Sequence, residues 1–341
     1  MMDITKRDSK VLKGVAILSM LMLHLFCRKD NLPYTPLLWL GDTPLIYYFG
    51  LFGDICVALY CFVSGYAHYL QSSEAELKQR WKRLLRFMIP FWLIATVFSL
   101  VGLLTGNTAI PGSLKEFLLN CLTIKNSYNG AWWYANTYIL LVALQPLSRK
   151  LADRCPVWLT LVLSFAFYTV GYGIRFWGWG ECNSVLLSWI IMHIGLLGTS
   201  YFPYVIGMLF CKKRVISLLR QRLTALHARN IYIFTAVTFA GMIVMHGIVP
   251  TLFVAFITAT VTIILLCICP LPKWTTDLLC YFGEHSTNIW LVHMFFYGSL
   301  FDGIVFAAKY PLPVFIFLLL LSLAASYVIK FLSKPILKLV R

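Results

Sequence analysis

Lys13, His24, Asp54, His68, His193, His246 and His293 all fall inside or at the edges of long apolar runs. An ionisable side chain in hydrocarbon costs roughly 2.5–3.5 kcal/mol on insertion scales, so each is a functional candidate. Lys13 and His24 stand eleven residues apart in one such run. Eleven steps of about 100° make nearly three turns, so both face one side of a helix. They are then about 16 Å apart along its axis. A cation near one end of a span can hold an anionic group, and an imidazole deeper in can move a proton near neutral pH. A snorkelling lysine and a hydrogen-bonded core histidine would use the same two residues. Gly14 leaves room beside Lys13 for a close neighbour. Asp54 lies in the outer half of the second run, at a depth near that of His24. A buried carboxylate needs a partner, and the expectation is that Asp54 orients His24 as the triad carboxylate orients its imidazole. The alternative is that it lines a wet outer vestibule. His193, His246 and His68 are expected to be structural.

The elements that position these groups are legible from composition. The 341 residues are 60% hydrophobic and 12% charged, about half the charged fraction of a soluble domain. A helix crosses the bilayer with about 20 apolar residues. Ten apolar segments meet this need, at about 10–27, 45–70, 87–105, 131–148, 157–174, 184–210, 230–247, 250–269, 278–301 and 311–332. The expected fold is therefore an all-α, polytopic membrane helical bundle of about ten transmembrane helices. Residues 1–341 are expected to form one integral membrane domain, the ten spans leaving no room for a separate soluble one.

The net charge of +16 raises the question of nucleic acid, but the distribution answers it. With the N-terminus in the cytoplasm, 23 of the 29 Lys and Arg fall on the cytoplasmic side. This is the positive-inside pattern and implies both termini inside. Anionic lipid headgroups are the partner it implies, and no nucleic acid. The ten Cys contain no CxxC pair; Cys267 and Cys269 are the closest spaced. Neither zinc, another metal nor a disulfide framework is indicated. The first run lacks a small-x-small cleavage site, so it reads as a retained helix. GYGIRF at 171–176 lacks the third glycine of a dinucleotide fingerprint.

Trp39, Tyr47, Tyr48, Trp132, Trp133, Trp177 and Trp179 cluster near the span edges, where aromatic rings favour the headgroup zone. Two longer connections stand out. Residues 106–130 form an outer loop with a surface-helix pattern in LKEFLLNCL, able to cover an outward-facing site. Residues 211–229 are basic and amphipathic and are expected along the cytoplasmic surface.

Six segments together resemble acyltransferase family 3, bacterial membrane acyltransferases that decorate surface glycans. KGVAILSMLMLH at 13–24 resembles its first-helix signature, in which a basic residue and a His flank ten others. The family usually has Arg where this chain has Lys13, which keeps the charge but loses the bidentate fork. YCFVSGY at 60–66, with Ser64-Gly65, and RLLRFMIPF at 83–91, with Arg83, Arg86 and Pro90, resemble two further motifs. GAWWYANTYILL at 130–141 is similar to a Trp-Tyr-Leu segment, with Ala135 where Leu is usual. YFPYVIGML at 201–209 and GEHSTNIWLVH at 283–293 resemble later ones. The likeness runs from about residue 7 to 330.

What the resemblance implies is a multi-pass protein of the cell (inner or plasma) membrane that moves an acyl group from acyl-CoA, acetyl-CoA above all, to a carbohydrate hydroxyl. Arg83 and Arg86, three apart and so on one helical face, are expected to receive the phosphates of coenzyme A. Lys13 and Ser64 would line the donor path. His24 would be the general base, assisted by Asp54; an acyl-His intermediate is the other option. Trp133, Tyr134 and His293 are expected on the acceptor side, although His293 could equally hold the core together. The competing reading is a proton-coupled transporter or flippase, for which buried His and Asp also fit. Against it, the sequence has no inverted repeat. A non-enzymatic membrane scaffold is a second alternative.

Overall fold

The computed structural model describes residues 3–71, 77–223, 228–249, 251–301 and 303–339. The architecture is the expected all-α one. In chain order the helices are α1 (Lys6–Phe26), α2 (Leu45–Phe52), α3 (Ile55–Leu70), α4 (Leu77–Leu104), α5 (Leu114–Cys121), α6 (Trp133–Arg154) and α7 (Val157–Phe176). They continue as α8 (Val185–Lys213), α9 (Val215–Leu223), α10 (Ala228–Ile248), α11 (Ala255–Ile268), α12 (Lys273–Met294) and α13 (Pro311–Leu339). The described strand structure is a two-residue hairpin, Trp39–Leu40 against Thr43–Pro44.

Among the described residues, seven helical segments are long and apolar enough to cross a membrane, counting α2 and α3 as one segment. The other three expected spans also fold as helices. α6 and α12 have 22 residues each, about 33 Å at 1.5 Å per residue, but carry more polar side chains. α11 is shorter, at 14 residues. A cytoplasmic reporter fused after residue 341 is expected to be active and a periplasmic-type reporter silent. The reverse pattern would mean an odd number of crossings.

Two boundaries differ from the sequence expectation for physical reasons. α4 starts ten residues before the apolar run, because Leu, Lys, Gln and Arg are strong helix formers. Arg83 and Arg86 thus lie within the helix and not on its approach. The second span is interrupted at Gly53-Asp54. There Gly53 N donates to Gly50 O at 3.0 Å and Asp54 N to Leu51 O at 3.2 Å, a tighter winding than the α-helix.

The chain divides into two compact units. The first comprises the described residues of Met1–Leu23, Tyr48–Ser73 and Ala143–Glu284. Its apolar core gathers Leu12, Ala16, Leu59, Phe62, Phe202 and Ile263, among others. Here α3 and α8 meet backbone to backbone: a Cβ at Gly65 would overlap the Tyr204 carbonyl, and one at Gly207 the Phe62 carbonyl. The basic segment after α8 does not simply lie on the surface. Ile216 of α9 is buried, and Arg220 donates to Cys267 O at 2.8 Å and to Asp3 O at 3.1 Å. Residues 224–227 of that segment lie outside the described residues.

The second unit comprises His24–Tyr47, the described residues of Glu74–Val142, and those of His285–Arg341. It holds α4, α5, α13 and the ends of α1, α6 and α12 that carry the candidate chemistry. The expected surface helix in the outer loop is α5, capped by Ser113, whose Oγ accepts from Glu116 N. Stacked and edge-on rings of Phe91, Trp132, Phe98 and Phe295 make its aromatic core.

Candidate active site

His24 sits in the last turn of α1 and His293 in the last turn of α12. His24 Nδ1 and His293 Nε2 are 2.7 Å apart, with ring planes inclined by 8°. His293 Nδ1 lies 2.7 Å from the Trp290 carbonyl. A carbonyl can only accept, so His293 Nδ1 carries a hydrogen. In a neutral ring the other nitrogen then holds a lone pair, so His293 Nε2 accepts from His24 Nδ1–H. The chain of donors ends with His24 Nε2, which keeps a lone pair. His293 is fully buried, whereas His24 is half-buried. The arrangement leaves one lone pair on a half-buried ring, oriented by a buried one.

The end of α12 is pinned by tryptophans. The Leu291 carbonyl accepts from Trp132 Nε1 and from Asn129 Nδ2, each at 2.9 Å. Trp290 Nε1 donates to the Ala131 carbonyl at 3.1 Å. Asn129 also caps the turn Gly130–Trp132 by accepting from Ala131 N. Immediately after Met294 the chain widens into a π-turn, Phe295–Ser299, a departure frequent at functional sites. Trp132, expected at the headgroup zone, is instead 2% exposed. Its ring fills the core and its N–H satisfies a carbonyl two residues from His293, which is what a buried indole requires. Trp39, Trp177 and Trp179 are exposed as an aromatic belt demands.

Tyr134 is buried with its ring 5.6 Å from that of Trp290. Trp133 is half-buried and edge-on to Tyr134. The two arginines of α4 part company. Arg86 is exposed, while Arg83 is half-buried with its Nη1 shielded from solvent and acts electrostatically on Tyr138. Phe87, one residue on from Arg86, stacks on Trp290 at 6.0 Å.

In the first unit, Lys13 is half-buried beside Gly14. The close neighbour expected at Gly14 is α12: a Cβ at Gly14 would overlap the Leu279 carbonyl, and one at Gly283 the Lys10 carbonyl. Arg7 pairs with Asp277 at 2.6 Å and Lys10 with Glu284 at 2.5 Å. Both pairs are about half exposed, so solvent screens them and they add little to stability. The same two helices that meet at these glycines supply His24 and His293, each ten residues beyond its glycine. Ser64 is half-buried on α3, next to the Gly65 contact with α8.

The sequence pattern pairs Asp54 with His24. The structure gives each another partner: Asp54 Oδ2 lies 3.6 Å from His246 Nδ1, and His24 has His293. His246, expected to be structural, faces a carboxylate. His68 bonds the Tyr204 hydroxyl at 2.8 Å, and His193 bonds the Trp189 carbonyl at 2.8 Å, as core or helix-surface histidines do. Sequence reasoning gave Trp132 and Trp290 no place beside His293, because their bonds join segments far apart in the chain.

A family model described as an acyltransferase domain matches residues 7–331. No curated protein and no solved structure matches the chain.

Proposed function

Because the chain belongs to acyltransferase family 3 and is a multi-pass membrane acyltransferase, we propose that it acts at the plasma membrane as an O-acyltransferase. It takes the acyl group, acetyl in the simplest case, from cytoplasmic acyl-CoA to a hydroxyl of an exported polysaccharide or glycolipid. The observation that carries the reading is the hydrogen-bond chain from Trp290 O through His293 to His24, which leaves a lone pair on His24 Nε2.

In the proposed reaction His24 Nε2 removes the proton of the acceptor hydroxyl. The oxygen attacks the thioester carbonyl, and the carbon–sulfur bond breaks. The imidazolium returns the proton to the departing thiolate, giving an ester and free coenzyme A thiol. His24 Nδ1–H stays bonded to His293 throughout, so the ring need not reorient when its charge changes. His293 is here a positioning residue, in place of the acceptor contact expected from sequence. Trp133 and Tyr134 are assigned to the acceptor, since a sugar ring packs on aromatic faces and Tyr134 borders the Trp290 ring. Lys13, Ser64, Arg83 and Arg86 are assigned to the donor.

Purified protein should consume radiolabelled acetyl-CoA by hydrolysis or transfer; a carrier or scaffold would do neither. Arg83→Ala or Arg86→Ala should weaken acyl-CoA binding by roughly tenfold, the loss of one charge-assisted contact. The Arg86 effect should shrink more as salt rises, since Arg86 is exposed and its field is screened. Unchanged coenzyme A affinity in the double variant would return both residues to lipid anchoring.

A further inference from the structure

The first unit contains a second buried ionisable pair that the acyl-transfer chemistry leaves unused. Asp54 stands at the break between α2 and α3 and is 6% exposed; His246, on α10, is fully buried. The break is held in place by α1, because a Cβ at Gly53 would overlap the Ser19 carbonyl. Asp54 Oδ2 and His246 Nδ1 are 3.6 Å apart. Neither oxygen of Asp54 nor His246 Nδ1 has a hydrogen bond among the described residues.

The far side of the imidazole fixes what lies between them. His246 Nε2 is 3.2 Å from Thr258 Oγ1, and that hydroxyl donates to the Ala255 carbonyl at 3.2 Å. With the hydroxyl hydrogen on that carbonyl, His246 Nε2 is the donor to Thr258. A neutral ring then turns the lone pair of Nδ1 towards the carboxyl group. With no proton between them, a lone pair faces a carboxylate and the site carries a net −1 in an apolar surround. With two protons it carries +1. With one proton it is neutral, and burial penalises every other state. From α2 the Phe52 ring meets His246 edge-on at 5.7 Å. From α3 the Cys56 thiol, and from α7 the Tyr168 hydroxyl, are within electrostatic reach of Asp54. Tyr168 is held by the Phe253 carbonyl at 2.8 Å, and Arg175 acts on Tyr168. Among the described residues Asp54 and His246 form no ion pair except with each other.

We propose that Asp54 and His246 form a proton-binding site inside the membrane-spanning core, holding one exchangeable proton between them. Release of the proton leaves a buried carboxylate that water or a second proton must stabilise, and the helix interruption at Gly53-Asp54 is where that carboxylate is held. Carboxyl–imidazole sites in membrane spans serve proton relays for this reason. The site stands on its own geometry and is independent of whether His24 transfers an acyl group.

The test counts protons on detergent-purified full-length protein. On alkalinisation, wild type should release about one proton more per molecule than Asp54→Asn, because the coupled pair titrates as a unit. The alkaline-minus-acid infrared difference spectrum should contain carboxyl and imidazole bands, the first lost in Asp54→Asn and the second in His246→Gln. Equal proton counts, or difference spectra unaltered by both substitutions, would overturn the proposal. Should a variant fail to fold, wild type in D2O decides alone. An exchangeable shared proton shifts those bands, whereas bands unmoved by D2O rule out exchange.

Discussion

His24→Gln should lower acyl transfer by about 10²–10⁴-fold, the usual contribution of a positioned base, while folded yield and donor binding stay near wild type. Glutamine has similar bulk and can still donate to His293 Nε2 through its amide. It cannot take a proton at neutral pH. If His24 only filled a polar niche between α1 and α12, Gln would satisfy the niche and activity per folded molecule would survive. The measurement is acyl transfer per mole of monodisperse purified protein. A residual rate above about a tenth of wild type would exclude the base role, since so small a loss lies well below what such a group supplies. His24→Ala should be equally inactive, and its donor affinity should still be intact.

His293→Leu should lower the rate by a comparable factor for a different reason, and His293→Gln should restore much of it. Leucine removes the acceptor for His24 Nδ1–H and the donor to the Trp290 carbonyl. The His24 ring is then free to turn or to adopt the other tautomer; a wrong tautomer in a serine-protease triad costs about 10⁴ in rate. A glutamine can place its carbonyl towards His24 and its amide N–H towards Trp290, replacing both bonds. The pattern expected is therefore opposite at the two histidines: Gln inactive at 24, Gln largely active at 293. The rate constant should fall in His293→Leu with little change in the apparent affinity for acceptor. A rise in acceptor KM at unchanged rate constant would instead make His293 a substrate contact.

The all-helical membrane architecture was legible from composition and apolar run length, because a bilayer demands about 20 apolar residues per crossing wherever the chain folds. The family was legible too, since its motifs lie along the chain in order and the matching domain spans residues 7–331. His24 stood out because an imidazole in an apolar run is conspicuous by cost alone. The same logic flagged Asp54 and His293, but it looked to His24 as the partner of Asp54 and named no partner for His293. Depth along a span can be counted from sequence; which helix stands beside which cannot.

What the sequence by itself determined was the inventory: the buried charges, their depth and their helical phase, all of which are local quantities. Only the tertiary structure decided the pairing. His24 and His293 are 269 residues apart, and they meet because α1 and α12 lie side by side, packed closely where Gly14 and Gly283 carry no side chain. Asp54, at the break between α2 and α3, has His246 of α10 as its partner, 192 residues further along the chain. Trp132 went to the core and not to the headgroups, and there its N–H found the Leu291 carbonyl. In each case a buried polar group took the partner that packing brought within 4 Å, and no spacing rule along one helix contains that information.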